Sequence, residues 1–259
     1  MEVDCMKMAI FKTAKSITPS PQVLVLASGS GRHPLVAFRM AQEQIKTKPH
    51  ITFVDIDPRA TIFTRVLARD SGISSSVITM NRDILHVKGF GSEHASSVAA
   101  RSLKAKKLQP ISTCRFGVNS VDVVSVIGLL EYLPMDFWNY HSGFLIGGRE
   151  IILKKRGVAA LLAEAWSILR PGGFLMFDIA NTESPFRITG HGNYQVDFCV
   201  NVLKWNPMRT FSPFGTVLPG MTDSAPLVYI AEAGLDPESI EIHREPSGFF
   251  DLYVLRKAY

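Results

Sequence analysis

The sequence predicts an α/β protein built on a mostly parallel sheet. Three observations carry that expectation. The first is the stretch 23–35, VLVLASGSGRHPL: four unbroken apolar residues, a small-residue turn (Ala27, Ser28, Gly29, Ser30, Gly31), and then a helical pattern over 34–44. Continuous apolar runs suit strands buried on both faces. The glycines let backbone approach a ligand where a Cβ would collide, and the helix start offers free N–H groups to an anion. The second is a pair of further apolar runs ending in carboxylates, HITFVDIDP (50–58) and VITMNRDIL (77–85). The third is a later pair, VDVVSVI (121–127), opening into GLLEYLP, and LRPGGFLMFDI (169–179), in which a Pro-Gly-Gly turn feeds the strand.

The remaining elements follow in order. Residues 1–21 read as an N-terminal arm closing on Pro19-Ser20-Pro21, and 22–259 as one domain. Asp57 before Pro58 reads as the cap of a helix beginning at Arg59, because Pro fits the first helical turn and Asp accepts from its free N–H groups. Insertions are expected near 89–119, 135–156 and 183–221; each is longer than an ordinary connection. Residues 158–169 read as a helix, 194–204 as a helical pattern within the last insertion, and 223–233 as a helix stopped by Gly234. Residues 239–244 and 249–256 are the final strands. The whole is a Rossmann-like seven-stranded sheet, mostly parallel, with helices on both faces and an antiparallel C-terminal edge strand.

Composition excludes several classes. The 259 residues suffice for a large core, with 46% hydrophobic and 20% charged residues. No apolar run reaches the ~18 residues of a membrane span. The first residues, MEVDCMKMAIFKTAK, carry charges too early for a signal peptide. Cys5, Cys114 and Cys199 are odd in number and widely spaced, so neither a metal site nor a disulfide framework is expected. These features point to the cytoplasm. The net charge of +5 is mildly basic. Its densest cluster, Arg101, Lys104, Lys106 and Lys107, lacks interleaved aromatics and reads as a solvated helix face rather than a nucleic-acid surface.

In order along the chain, ASGSG (27–31), FVDIDP (53–58), NRDIL (81–85), GLLEYLP (128–134) and ILRPGG (168–173) resemble the class I S-adenosylmethionine (SAM)-dependent methyltransferases over about residues 22–182. LRPGG before a strand is the most specific of these pieces and separates the family from nicotinamide-dependent enzymes. The resemblance implies SAM as cofactor. Ala27, Ser28, Gly29, Ser30 and Gly31 would wrap its methionine part, Asp55 would accept from the ribose hydroxyls, and Ile56 would pack on adenine. Asp83 would accept from the adenine amino group with the Ile84 backbone beside it, and Ile127 and Gly128 would offer backbone groups to the amine. Asp55 follows Gly31 at roughly the 20-residue separation typical of a ribose-binding acid.

Two positions depart from the family pattern. Val25 stands where an acid is common, and Ala27 where glycine is common. On the acceptor side, methyl transfer demands alignment and a dry site more than elaborate acid–base groups. Glu131, Tyr132 and His141 are the candidate catalytic residues, with His141 as base for a hydroxyl. Phe137, Trp138 and Tyr140 beside them read as lid or pocket wall, and His33 as facing cofactor or acceptor. The Asn/Asp-Pro-Pro-aromatic motif of amino-directed base methylation is missing from GLLEYLP. The expected reaction is therefore methyl transfer to an oxygen or nitrogen of a small-molecule acceptor, with no nucleic-acid, membrane or metal partner. Transfer or cyclisation of the aminocarboxypropyl group of SAM, or a non-catalytic SAM-fold binding protein, are the alternatives. The oligomeric state is not read from the sequence.

Overall fold

A computed structural model describes residues 1–45, 48–55, 57–81, 116–128, 130, 139–146, 149–156, 158–180, 230–231, 233–244 and 250–259. Ile56, Asp83, Ile84, Glu131, Tyr132, Phe137 and Trp138 lie outside these residues. So do the basic cluster at 101–107, the insertion at 183–221 with its helical pattern, and most of that at 89–119.

The strands are β1 (Gln22–Leu26), β2 (His50–Asp55), β3 (Val77–Asn81), β4 (Val121–Val126), β5 (Asn139–Ile146), β6 (Arg149–Arg156), β7 (Leu169–Ala180), β8 (Pro237–Arg244) and β9 (Phe250–Lys257). Seven of them form one sheet in the order β3-β2-β1-β4-β7-β9-β8. The first five are parallel neighbours, and β9 runs antiparallel to both β7 and β8. The antiparallel strand is thus inserted one place in from the edge that β8 forms. This is the mostly parallel, Rossmann-like sheet expected from the sequence.

The helices are α1 (Glu2–Ser16), α2 (Arg32–Gln44), α3 (Pro58–Asp70) and α4 (Val158–Ile168). Alternation along the strands sorts the core into two layers. Val23, Val25, Val123 and Met176 face Met6 and Ile10 of α1 and Leu35 and Phe38 of α2. Leu24, Leu26, Val124, Val126 and Phe177 face Leu161, Leu162 and Ala165 of α4. The residues expected as an arm are therefore largely helix α1. Met6, Ile10 and Thr13 recur at helical spacing and are fully buried, while Glu2 and Asp4 complement the positive helix start.

Local chemistry fixes the boundaries. Asp57 caps α3, accepting from the Arg59 N–H at 2.8 Å, with Pro58 in the first turn. The Arg59 guanidinium on the same carboxylate holds Asp57 below its ordinary pKa. Helix α2 begins at Arg32, earlier than the pattern predicts, because Gly31 caps it in a left-handed conformation and Pro34 sits where its missing N–H costs nothing. Gly234, at φ +66°, closes the helical residues 230–231 before it: its N–H donates to Ala231 O and that of Leu235 to Ile230 O. The 135–156 connection contains an antiparallel pair, β5 and β6, in register from Asn139↔Arg156 to Ile146↔Arg149 and separate from the main sheet.

At the amino ends of the strands, charges close the structure. Asp122, fully buried at the start of β4, accepts from the Gln22 N–H at 2.7 Å and from Arg170 at 3.0 and 3.2 Å. Burial pushes the Asp122 carboxyl above its ordinary pKa, against the opposing pull of Gln22 and Arg170. Lys257 Nζ donates to Trp166 O at 2.8 Å, Leu169 O at 2.6 Å and Asn119 Oδ1 at 3.2 Å.

Candidate functional site

Strand β1 lies between β2 and β4, and the chain moves outward from β1 to β2 and β3 before returning to β4 on the other side. The loops leaving the carboxyl ends of β1 and β4 therefore diverge. The crevice between them is where open α/β sheets bind ligands.

The loop after β1 is sharply turned. Ala27 (φ +53°), Gly29 (φ +50°) and Gly31 (φ +64°) are all left-handed. Each glycine has its own reason. A Cβ on Gly31 would lie 2.6 Å from Thr64 Oγ1 and 3.3 Å from the Phe53 ring, so the turn closes on α3 there. A Cβ on Gly29 would have nothing among the described residues within 4 Å, so Gly29 is open on their side. Ala27 adopts the left-handed conformation without being glycine, at a cost of about 1 kcal/mol. The departure noted at this position is thus a strained one.

Asp55 organises the turn. It ends β2, is only 8% exposed, and accepts from the Gly29 N–H through Oδ2 and the Asp57 N–H through Oδ1, each at 2.8 Å. Asn81, at the end of β3, donates to the Asp55 carbonyl at 3.1 Å, and Thr64 Oγ1 donates to Ser30 O at 3.3 Å. A carboxylate oxygen carries two acceptor positions, so these bonds leave Asp55 capacity for further donors.

The loop after β4 mirrors this arrangement. Gly128 (φ +69°) has nothing among the described residues within 4 Å of its Cβ position, and its N–H donates to Asp178 Oδ1 at 2.7 Å. Ile127 is partly exposed beside it. Asp178, near the end of β7, was not singled out from the sequence, nor were Asn81 and Thr64; each acts through a partner distant in the chain.

The structure brings Ala27–Gly31 and Asp55 into one hydrogen-bonded unit and places Ile127 and Gly128 on the neighbouring inner strand's loop. Val25 is 3% exposed within the apolar layer, beside Phe53 and Ser125 on the adjacent strands. His33 meets Glu2 of α1, Nδ1 to Oε2 at 3.2 Å, and ties the first turns of the two helices. The His141 backbone lies in β5 opposite Lys154.

No family profile matches the sequence, and no curated protein matches it at the sequence level. Solved structures do match. A carbon methyltransferase, CurJ, aligns at TM-score 0.56 and 15% identity over 100% of this chain and 54% of its own. The trans-methyltransferase CalH, in complex with S-adenosylhomocysteine (SAH), aligns at 0.53 and 16%, over 99% of this chain and 58% of its own. The chain has the class I SAM-dependent methyltransferase fold. The [4+2]-cyclase SpnF also aligns, at 0.52 and 11%, over 99% of this chain and 80% of its own. The chain thus spans little more than half the length of the two methyltransferases. Among the described residues no helix is long and apolar enough to cross a membrane.

The residues present fit SAM. Two left-handed glycines, Gly29 and Gly128, with no described residue against their Cβ positions leave room for a ligand against backbone, and the buried Asp55 carboxylate at the end of β2, bonded to Gly29, has capacity for hydroxyl donors.

Proposed function

We propose that this protein binds SAM in the crevice and transfers its methyl group to an oxygen or nitrogen of a small-molecule acceptor. The observation that carries this reading is the joining of the open Gly29 turn to the Asp55 carboxylate at the β1–β4 switch point. Asp55 holds the turn and accepts the ribose hydroxyls, and Ala27–Gly31 enclose the methionine part. Ile127 and Gly128 present backbone to the amine. Asp83, Ile84 and Ile56 complete the adenine side. SAM supplies the electrophilic methyl carbon; the protein aligns an acceptor against it and excludes water. Glu131, Tyr132 and His141 are assigned to the acceptor side, with His141 taking the acceptor proton. The assignment to the cytoplasm rests on the widely spaced cysteines and is part of the same proposal.

Val25 favours a second reading, a SAM-fold protein that binds without methylating or uses SAM differently. The similarity to a cyclase makes the point concrete: this fold hosts other chemistry. Calorimetric titration with SAM and SAH is the test. Binding is expected, and its absence at millimolar ligand defeats both the enzyme and cofactor assignments. Incubation of SAM with candidate acceptors, read by mass spectrometry, then separates methyl transfer, which yields SAH, from aminocarboxypropyl transfer, which yields methylthioadenosine.

A further inference from the structure

We infer that Asp178 is a positioning residue of the cofactor site, holding the loop after β4 as Asp55 holds the loop after β1. The inference rests on the SAM reading above and adds to it a residue that neither the motifs nor the resemblance assigns.

Four neighbouring strands, β2-β1-β4-β7, carry the argument. The inner pair end in apolar residues: Val25 and Leu26 on β1, Val126 on β4, with Ile127 following. Neither inner strand carries a carboxylate near its carboxyl end that could steady its own loop. Both loops are nevertheless left-handed at a glycine with no described residue against its Cβ position, Gly29 and Gly128. Each glycine N–H is held by a carboxylate from the outer neighbour: Gly29 by Asp55 of β2 at 2.8 Å, Gly128 by Asp178 of β7 at 2.7 Å. The two bonds are charge-assisted and short, the class that fixes geometry most strongly.

The consequence is specific. A glycine loop has little intrinsic preference for one conformation. Where Gly128 presents backbone to a ligand, the loop must be fixed before the ligand arrives, or ordering it consumes binding free energy. Asp178 fixes it by accepting the Gly128 N–H, which directs the peptide group on one side of Gly128. It acts through Gly128 and need not touch the ligand. With Val25 in place of an acid on β1, the carboxylates that organise this crevice come from the flanking strands.

The test compares wild type, Asp178→Ala and Asp178→Asn in the full chain. SAH affinity is read by calorimetry, and amide hydrogen exchange at Gly128 is read in the ligand-free protein. Asn retains an acceptor oxygen for the Gly128 N–H; Ala does not. The Gly128 amide should be protected in wild type and Asn and exchange faster in Ala. SAH affinity should fall roughly 10- to 100-fold in Ala and stay within about threefold in Asn, the span set by losing a hydrogen bond to a charged group. Wild-type affinity in Asp178→Ala overturns the inference. An equal loss in Asn and Ala also overturns it, because the charge rather than the bond to Gly128 would then carry the effect. If Asp178→Ala does not fold, Asp178→Asn decides: Gly128 protection with near-wild-type affinity supports positioning, and loss of either refutes it. Failure of the wild type to bind SAH refutes the cofactor reading instead, and the Gly128 exchange rates still report whether the clamp exists.

Discussion

The two ends of the sheet use the same residue types for opposite purposes. At the amino ends, Gly173 is needed because a Cβ would lie 2.6 Å from Asp122 O, and Gly172 because its backbone is left-handed at φ +78°. At the carboxyl ends, Gly29 and Gly128 have nothing among the described residues within 4 Å of their Cβ positions. The carboxylates differ likewise. Asp122 is matched with Arg170 and sealed. Asp55 and Asp178 each accept from a glycine N–H in a neighbouring strand's loop. Open glycines are not confined to the crevice end, since Gly72 and Gly117 also have no described residue within 4 Å of their Cβ positions; what sets Gly29 and Gly128 apart is the carboxylate of a neighbouring strand that accepts from each N–H.

The sharpest way to break this contrast is to remove one carboxylate from each end. Asp122→Ala leaves Arg170 Nη1 and the Gln22 N–H without the carboxylate that accepts from them. Removing one member of a buried pair typically costs about 3–5 kcal/mol. Because the Arg170 side chain is 34% exposed, the loss here should fall toward ~2–3 kcal/mol, seen as a lower urea midpoint. SAH affinity of the folded fraction should not change. A variant with full stability and weakened SAH binding would reverse the assignment of the two ends.

Asp55→Ala is the counterpart. It should weaken SAM binding by about 1.5–3 kcal/mol, the range for hydrogen bonds to a charged group, measured by calorimetry. Some stability should also be lost, since Gly29 and Asp57 each lose an acceptor. Unchanged SAM affinity would take Asp55 out of the site and with it the alignment of the whole crevice.

How far the sequence foretold this contrast depends on how local each signal is. The strand–turn–helix at 23–44, the Asp57 cap and the Gly234 stop rest on neighbours within a few residues, and the structure contains them. LRPGG pointed to the family, yet its glycines lie at the end of the sheet away from the crevice: it is a close-packing motif. Helix α1 was legible in the spacing of Met6, Ile10 and Thr13, but its charged residues mask that stripe in a linear reading. The Asp178–Gly128 bond joins residues 50 apart, and no local period announces it. Asp83, Glu131 and Tyr132 lie outside the described residues, and their roles stand on the resemblance.

A smaller effect sharpens the comparison within the site. Ala27→Gly removes a left-handed alanine, while the added freedom of glycine in the unfolded chain offsets part of the gain. The net should be about 0–0.6 kcal/mol of added stability, a rise of at most roughly 2 °C in Tm for a chain of this size. Gly29→Ala should do the reverse by a similar amount, since its Cβ meets no described residue and only the backbone conformation opposes it. A loss of stability in Ala27→Gly would show that the alanine methyl contributes more through packing than its conformation costs.

An effect of a different kind, on the pH dependence of stability, belongs to Lys257, and its sign follows from where its proton sits. Burial lowers its pKa from 10.5 to about 8, while the side chain donates to the carbonyls of Trp166 and Leu169. Below pH 8 the lysine is charged in both folded and unfolded chains and adds no pH dependence. Between about 8 and 10.5 the unfolded chain holds the proton that the folded chain has released. The unfolded state then binds more protons, so raising the pH favours folding across that window. A neutral amine still donates two N–H groups, so the bonds to Trp166 and Leu169 persist. Other groups titrate in the same range, and the difference between wild type and Lys257→Met isolates the effect. Wild-type stability, read from urea midpoints at several pH values between 7 and 11, should gain on that of Lys257→Met as pH rises through the window. Parallel profiles would mean that the carbonyl bonds hold the ammonium at its ordinary pKa, and that burial at this end of the sheet costs the lysine nothing.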